Sequence, residues 1–137
     1  MEEQDLNSWL EDSPILKHLG VEFVELDPDR VVATMPVDER HHQPLGYLHG
    51  GLNLFLAETV GGLGALLNSP PGKTAFGSEV NGSHLRPRRS GTVTATGTPV
   101  HKGSNSQVWE IKIHDEDEKL VSISRCTLSL VVILRIR

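Results

Sequence analysis

From residue 50 onward the pattern of apolar and polar positions changes period once. Leu52, Leu54, Phe55, Leu56, Val60, Leu63, Leu66 and Leu67 cover every side of a helical wheel. A helix apolar all round is a buried helix. Its start is marked by Gly50-Gly51 and its end by Asn68-Ser69-Pro70-Pro71-Gly72, which predicts a helix over about Gly50–Leu67. After it, alternation takes over. Ala75–Leu85, Thr92–His101, Ser106–His114 and Leu120–Leu134 read as strands, with Trp109, Ile111 and Ile113 on one face and Glu110 and Lys112 on the other. Before it, Val21–Asp27 and Val31–Val37 read as two more strands joined at Asp27-Pro28-Asp29. Residues 1–19 carry a looser amphipathic pattern broken by Pro14, with Gly20 as a stop, and predict one or two short covering helices. The expected fold is α+β: a single domain over residues 1–137 in the order β-β-α-β-β-β-β, with about six strands around one central helix.

Composition narrows the function classes. The 137 residues hold 13 basic and 18 acidic side chains, a formal net charge of −5, which argues against nucleic acid as the partner. A single cysteine, Cys126, excludes an internal disulfide and fits a reducing compartment. The acidic start and the absence of an apolar run near 20 residues predict neither a signal peptide nor a membrane segment, so the expected location is cytoplasmic. His41, His42 and His49 have no local Cys, Asp or Glu at metal-ligand spacing, so no metal is expected.

The chemistry concentrates in the helix. Glu58 is a lone carboxylate in the most apolar stretch, where burial costs several kcal/mol unless the group is paired, hydrogen-bonded or protonated. Glycines ahead of a helix leave N–H groups free at the positive end of its dipole. Gly61, Gly62 and Gly64 inside the helix each cost about 0.5–1 kcal/mol against alanine, which implies a close approach by a ligand, another backbone or the sheet. Cys126, Trp109 and Phe76 read as core, and Asp115–Glu118 as a charged hairpin tip.

The run His42-Gln43-Pro44-Leu45-Gly46-x-Leu48-His49-Gly50-Gly51, followed by Leu56-Ala57-Glu58-Thr59, resembles the hotdog-fold acyl-CoA thioesterases. The likeness is greatest to the branch holding the phenylacetate-pathway, 4-hydroxybenzoyl-CoA and 1,4-dihydroxy-2-naphthoyl-CoA thioesterases. Glu79-Val80-Asn81-Gly82-Ser83-His84-Leu85-Arg86-Pro87, Ala33-Thr34-Met35-Pro36-Val37 and His101-Lys102-Gly103-Ser104 extend it over Gly20 to Leu130. This resemblance implies a long helix wrapped by an antiparallel sheet, dimers with a continuous sheet, commonly a homotetramer built as a dimer of dimers, and thioester hydrolysis without metal or organic cofactor. It implies Glu58 as the catalytic carboxylate, Gly50 as the oxyanion donor, and Gln43 and His49 as polar groups near the thioester. Relatives often carry Ser or Thr one turn after the carboxylate, where this chain has Gly62.

Helix geometry adds a constraint of its own. Eight residues along one helix separate Gly50 and Glu58 by roughly 12 Å, whereas groups acting on one carbonyl lie within about 3–3.5 Å of the reacting atoms. If both groups act on the same thioester, they should come from two subunits whose helices run antiparallel. His84, Arg86, Arg88 and Arg89, with Asn81, Lys102 and Ser104, are the candidate CoA ligands, since guanidinium groups suit phosphate oxygens. Tyr47 and Leu54 are candidates for the acyl pocket. Two other functions remain open at this point: a hotdog hydratase or dehydratase, and a non-catalytic acyl-CoA binding module.

Overall fold

The computed structural model describes residues 3–133 and contains one long helix against one six-stranded antiparallel sheet. Two short helices, α1 (Glu3–Glu11) and α2 (Pro14–Leu19), come first, with Pro14 opening α2 and left-handed Gly20 (φ 73°) closing it. Strands β1 (Glu22–Asp27) and β2 (Arg30–Pro36) follow, then α3 (Gly50–Leu67). The chain ends with β3 (Lys73–His84), β4 (Thr92–Lys102), β5 (Ser106–His114) and β6 (Leu120–Val132). The expected element order holds. Leu134, expected as the end of the last strand, lies outside the described residues.

The spatial order is β1-β2-β4-β5-β6-β3. α3 touches all six strands, and Trp109, Ile111, Ile113, Val93, Ala95, Cys126 and Leu128 present the inner face to it. Where α3 crosses β5, side-chain volume has to be given up. A Cβ on Gly64 would stand 2.4 Å from the Trp109 ring, so the glycine makes room for the indole. Gly61 lies in the same way against Cys126 and Trp109 (3.3 and 3.5 Å). Tight packing against the sheet thus accounts for two of the three helix glycines. Trp109 Nε1 donates to Gln107 Oε1 at 2.9 Å, which satisfies the buried indole.

Two expectations need correcting. α3 is not enclosed on all sides: Asn53, Leu56, Ala57, Val60, Gly61, Leu63, Gly64 and Ala65 are buried, while Phe55, Thr59, Gly62 and Leu66 are half-buried and Glu58 is exposed. A wheel count gives total apolarity and does not say how much of it one sheet can cover. Phe76, expected in the core, is 62% exposed on β3, the strand at the sheet's edge. By length and composition α3 would also suit a membrane span, yet eight of its residues are buried inside the fold.

Gly64→Ala is expected to destabilise the fold by about 1–3 kcal/mol, the range for an added methylene in a packed core. Denaturant unfolding of the two proteins measures it.

Candidate functional site

The segment before α3 is tied down almost residue by residue. The Gln43 N–H donates to the Tyr47 carbonyl (2.7 Å), and Gly46, at φ 86°, closes that turn. Leu48 N–H donates to the Arg88 carbonyl (2.7 Å) and His49 N–H to the His41 carbonyl (2.8 Å). The buried His41 ring reaches the Leu19 carbonyl at 2.8 Å, anchoring the loop to α2. At the helix start, Gly51 N–H donates to His49 Nδ1 (2.8 Å) and Leu52 N–H to the His49 carbonyl (2.9 Å). Among the described residues the Gly50 N–H has no acceptor, so a free donor stands at the positive end of the helix.

A cavity of about 300 Å³ opens beside that start, lined by Gln43, Tyr47, Gly50, Asn53, His84 and Arg86 among others. Gln43 is held by Leu45 N–H, which donates to its Oε1. His84 lies against Gly50: a Cβ there would be 2.7 Å from Cδ2 and 2.8 Å from Nε2 of the ring. The structure therefore brings together Gln43, Tyr47, Gly50, His84 and Arg86. It also adds Asn53, which the sequence reading passed over. The signal was present, since Asn53 is a lone amide in an apolar helix, one turn after Gly50.

Glu58 stands at a second cavity, of about 330 Å³ and largely apolar. Trp9, Leu10, Phe23, Phe55, Leu63 and Phe76 are among its walls, with Thr59 and Gly62 beside the carboxylate. α1 and α2 roof this space. The buried Glu58 expected from its apolar neighbours is instead exposed, because its side chain leaves α3 towards edge strand β3. There it crosses Gly77, where a Cβ would be 2.4 Å from Oε1. The β3–β6 register shifts between Gly77 and Glu79 at the same point. A larger hollow, about 710 Å³, faces outward on the other side of the sheet and borders none of the motif residues.

The remaining candidates sit elsewhere. His49 does not line the Gly50 cavity; its ring caps the helix, beside a hollow shared with Arg40, His41 and His42. Arg88 is turned to the Asp115 carboxylate (3.4 Å), with Glu116 at 3.8 Å, and serves as a strut beneath the α3 loop. Asp115 is buried rather than part of a solvated tip. The Lys119 N–H donated to it (3.0 Å) is the largest of the causes that hold its carboxyl below the usual range. Arg89 stacks over Tyr47 (4.3 Å) and donates to its hydroxyl at 3.0 Å. Asn81 donates to Glu79 on the exposed edge, and Leu54 packs near Gly82. Lys102 pairs with Asp29, and Ser104 accepts from Lys73. These last two lie towards the end of the sheet where β3 begins, whereas Arg86 follows the end where β3 stops. Within one chain they do not join the Gly50 cavity. Cys126 is buried, and desolvation, with Glu58 and Glu79 nearby, pushes its thiol up to about 12, which suits core packing and not nucleophilic attack.

The family model described as "Thioesterase superfamily" matches residues 45–122, from the glycine loop into β6. The chain belongs to that superfamily. It is a thioester hydrolase of the hotdog fold. A 1,4-dihydroxy-2-naphthoyl-CoA hydrolase of Listeria monocytogenes is 46% identical over 112 residues, covering 82% of this chain and 91% of its own length. The proofreading thioesterase EntH of Cronobacter turicensis is 41% identical over 116 residues, 85% of each protein. The crystal structure of thioesterase HI1161 from Haemophilus influenzae superposes with a TM-score of 0.89 at 46% identity, covering 98% of this chain and 94% of that one.

Gly77→Ala is expected to leave the fold intact, within about 0.5 kcal/mol, since the obstructed group is the mobile end of a surface side chain. It is also expected to swing Glu58 aside and lower thioesterase activity at least several-fold. Melting curves and a thiol-release assay separate the two effects.

Proposed function

We propose that this thioesterase hydrolyses an acyl-CoA, with a compact, apolar acyl group, in a site completed by two subunits. The observation that carries the reading is the pair of separate cavities on α3, a polar one at Gly50 and an apolar one at Glu58. On one rigid helix these groups are roughly 12 Å apart. Packed antiparallel against a second copy, the two helices would bring Gly50 of one to Glu58 of the other. Edge strand β3 and the half-covered flank of α3 supply surface for that pairing. Extension of the dimer to a tetramer and residence in the cytoplasm remain part of this proposal, by likeness to the family alone.

In this reading the thioester oxygen accepts from the Gly50 N–H, held at the helix start by the His49 cap. Gln43 lies beside it. Glu58 either attacks the carbonyl carbon, expelling the CoA thiolate and leaving an anhydride for water to open, or takes a proton from the attacking water. The acyl group fits the apolar cavity under α1 and α2. Thr59 is the hydroxyl nearest in sequence that could hold the water where Gly62 has none. Of the candidates Arg86, Arg88 and Arg89, Arg86 and Arg89 are exposed and available to the CoA phosphates. The relative named as a 1,4-dihydroxy-2-naphthoyl-CoA hydrolase supports a compact acyl-CoA as substrate.

Free thiol is measured over benzoyl-, phenylacetyl-, naphthoyl- and fatty acyl-CoA. Turnover is expected for the compact acyl groups, and its loss in a folded Glu58→Gln protein. Binding without thiol release by both proteins would favour a non-catalytic acyl-CoA module. The two-subunit site has a sharper check. Gly50→Val and Glu58→Gln proteins are each expected to be inactive. Refolded together in equal amounts, they should regain about a quarter of wild-type activity, because half the dimers are mixed and each mixed dimer holds one intact site. No recovery would place both groups in one subunit.

A further inference from the structure

Beneath the Gly50 cavity lies a buried polar group that thioester hydrolysis, as described so far, does not use. Asn53, 3% exposed, projects from the first turn of α3, and its Nδ2 is 3.3 Å from His84 Nδ1. The Ser122 hydroxyl, fully buried, is 3.2 Å from the same nitrogen and 3.1 Å from the Ser83 carbonyl. Asn53 Oδ1 is buried with no hydrogen-bond partner. That orphan decides which way the amide faces. As placed, the amide gives one N–H to Nδ1 and leaves one N–H and the carbonyl oxygen unmet; turned over, it would leave both N–H groups unmet, and orphaned buried N–H groups are the rarer kind.

With the NH2 towards His84, Nδ1 accepts from Asn53, and the Ser122 hydroxyl, which has one proton for either the Ser83 carbonyl or Nδ1, faces the ring without a lone-pair clash when it turns that proton to Nδ1. The proton of the neutral imidazole then sits on Nε2. That nitrogen is on the ring edge packed against Gly50, 2.8 Å from where a Cβ would be, and it lines the same cavity as the free Gly50 N–H. The arrangement also explains why residue 50 has no side chain: any Cβ would occupy the space of the ring. We propose that His84 Nε2–H is a second donor to the thioester oxygen beside the Gly50 N–H, and that Asn53 is the positioning residue that fixes its tautomer. This rests on the reading that the Gly50 cavity receives the thioester. It reassigns His84 from the CoA phosphates to the reacting carbonyl.

Two variants test it, each compared on an acyl-CoA and on the matching acyl-pantetheine, which lacks the nucleotide phosphates. Asn53→Asp puts a carboxylate acceptor against Nδ1, draws the proton there and leaves Nε2 bare. His84→Ala removes the donor at an exposed position, and a melting curve checks that the protein still folds. Each is expected to lower kcat about 100-fold, the scale of losing one oxyanion donor, with KM little changed and the loss equal on both substrates. Nitrogen-15 NMR of the imidazole should report the Nε2–H tautomer in the wild type and Nδ1–H in Asn53→Asp. If His84→Ala instead raises KM for acyl-CoA and spares acyl-pantetheine, His84 binds phosphate and the proposal fails. A wild-type Nδ1–H tautomer also overturns it. Either failure leaves an active wild type and an inactive Gly50→Val protein, whereas failure of the underlying reading leaves Gly50→Val active.

Discussion

A helix is a ruler, and α3 fixes the distance between its free N–H groups and its carboxylate. Gly50 and Glu58 are eight residues apart on one rigid element, roughly 12 Å along its axis. The Glu58 carboxylate lies over Gly77 on β3, while Gly50 meets His84 at the end of that strand. Each end therefore faces its own cavity, one lined by Gln43, Tyr47, His84 and Arg86, the other by Phe55, Phe76 and the N-terminal helices. Two-fold symmetry is the economical way to turn two half-sites into two whole ones, because an isologous contact delivers both at once. The exposed edge of β3 and the uncovered flank of α3 acquire a common explanation under that symmetry.

Absent side chains do much of the positioning. At Gly64 the missing Cβ lets the Trp109 ring lie under the helix, which seats α3 on β5. At Gly77 it lets the Glu58 carboxylate cross an edge strand, and at Gly50 it lets the His84 ring stand beside the helix N-terminus. None of these three needs a positive φ, so close approach and not backbone freedom is the reason for glycine. One seats the scaffold, and the other two lie on the groups proposed to meet the substrate.

Local signals carried most of the fold. Gly50-Gly51 and Asn68-Ser69-Pro70 bound α3 because free N–H groups and helix breakers act within a few residues. The alternation of Trp109, Ile111 and Ile113 survives as a buried face because β5 lies inside the sheet. What the local pattern did not show depended on contacts distant in sequence. Arg88 lies against Asp115, 27 residues on. Lys102 and Ser104 lie at the other end of the sheet from Arg86 within one chain. Phe76 and Glu58 misled together, since apolar character was read as burial by the same chain. The opening at Phe76 and Glu58 is where the proposed acyl pocket lies.

The contrast between the cavities bears on how a substrate would lie. Polar groups gather at Gly50: the amide of Gln43, the imidazole of His84 and, beyond them, Arg86 and the Arg89–Tyr47 stack. At Glu58 the walls are almost all aromatic and aliphatic. A thioester is polar at its carbonyl, long and phosphate-bearing on the sulfur side, and apolar on the acyl side in the compact substrates proposed. Laid across paired α3 helices, its nucleotide would run past the arginine side of one protomer while its acyl group enters the apolar cavity of the other. The carbonyl then falls between a donor and a carboxylate from opposite chains. The roof of α1 and α2 over that cavity would then make these two helices part of acyl selection, beyond the covering role that their amphipathic pattern suggests.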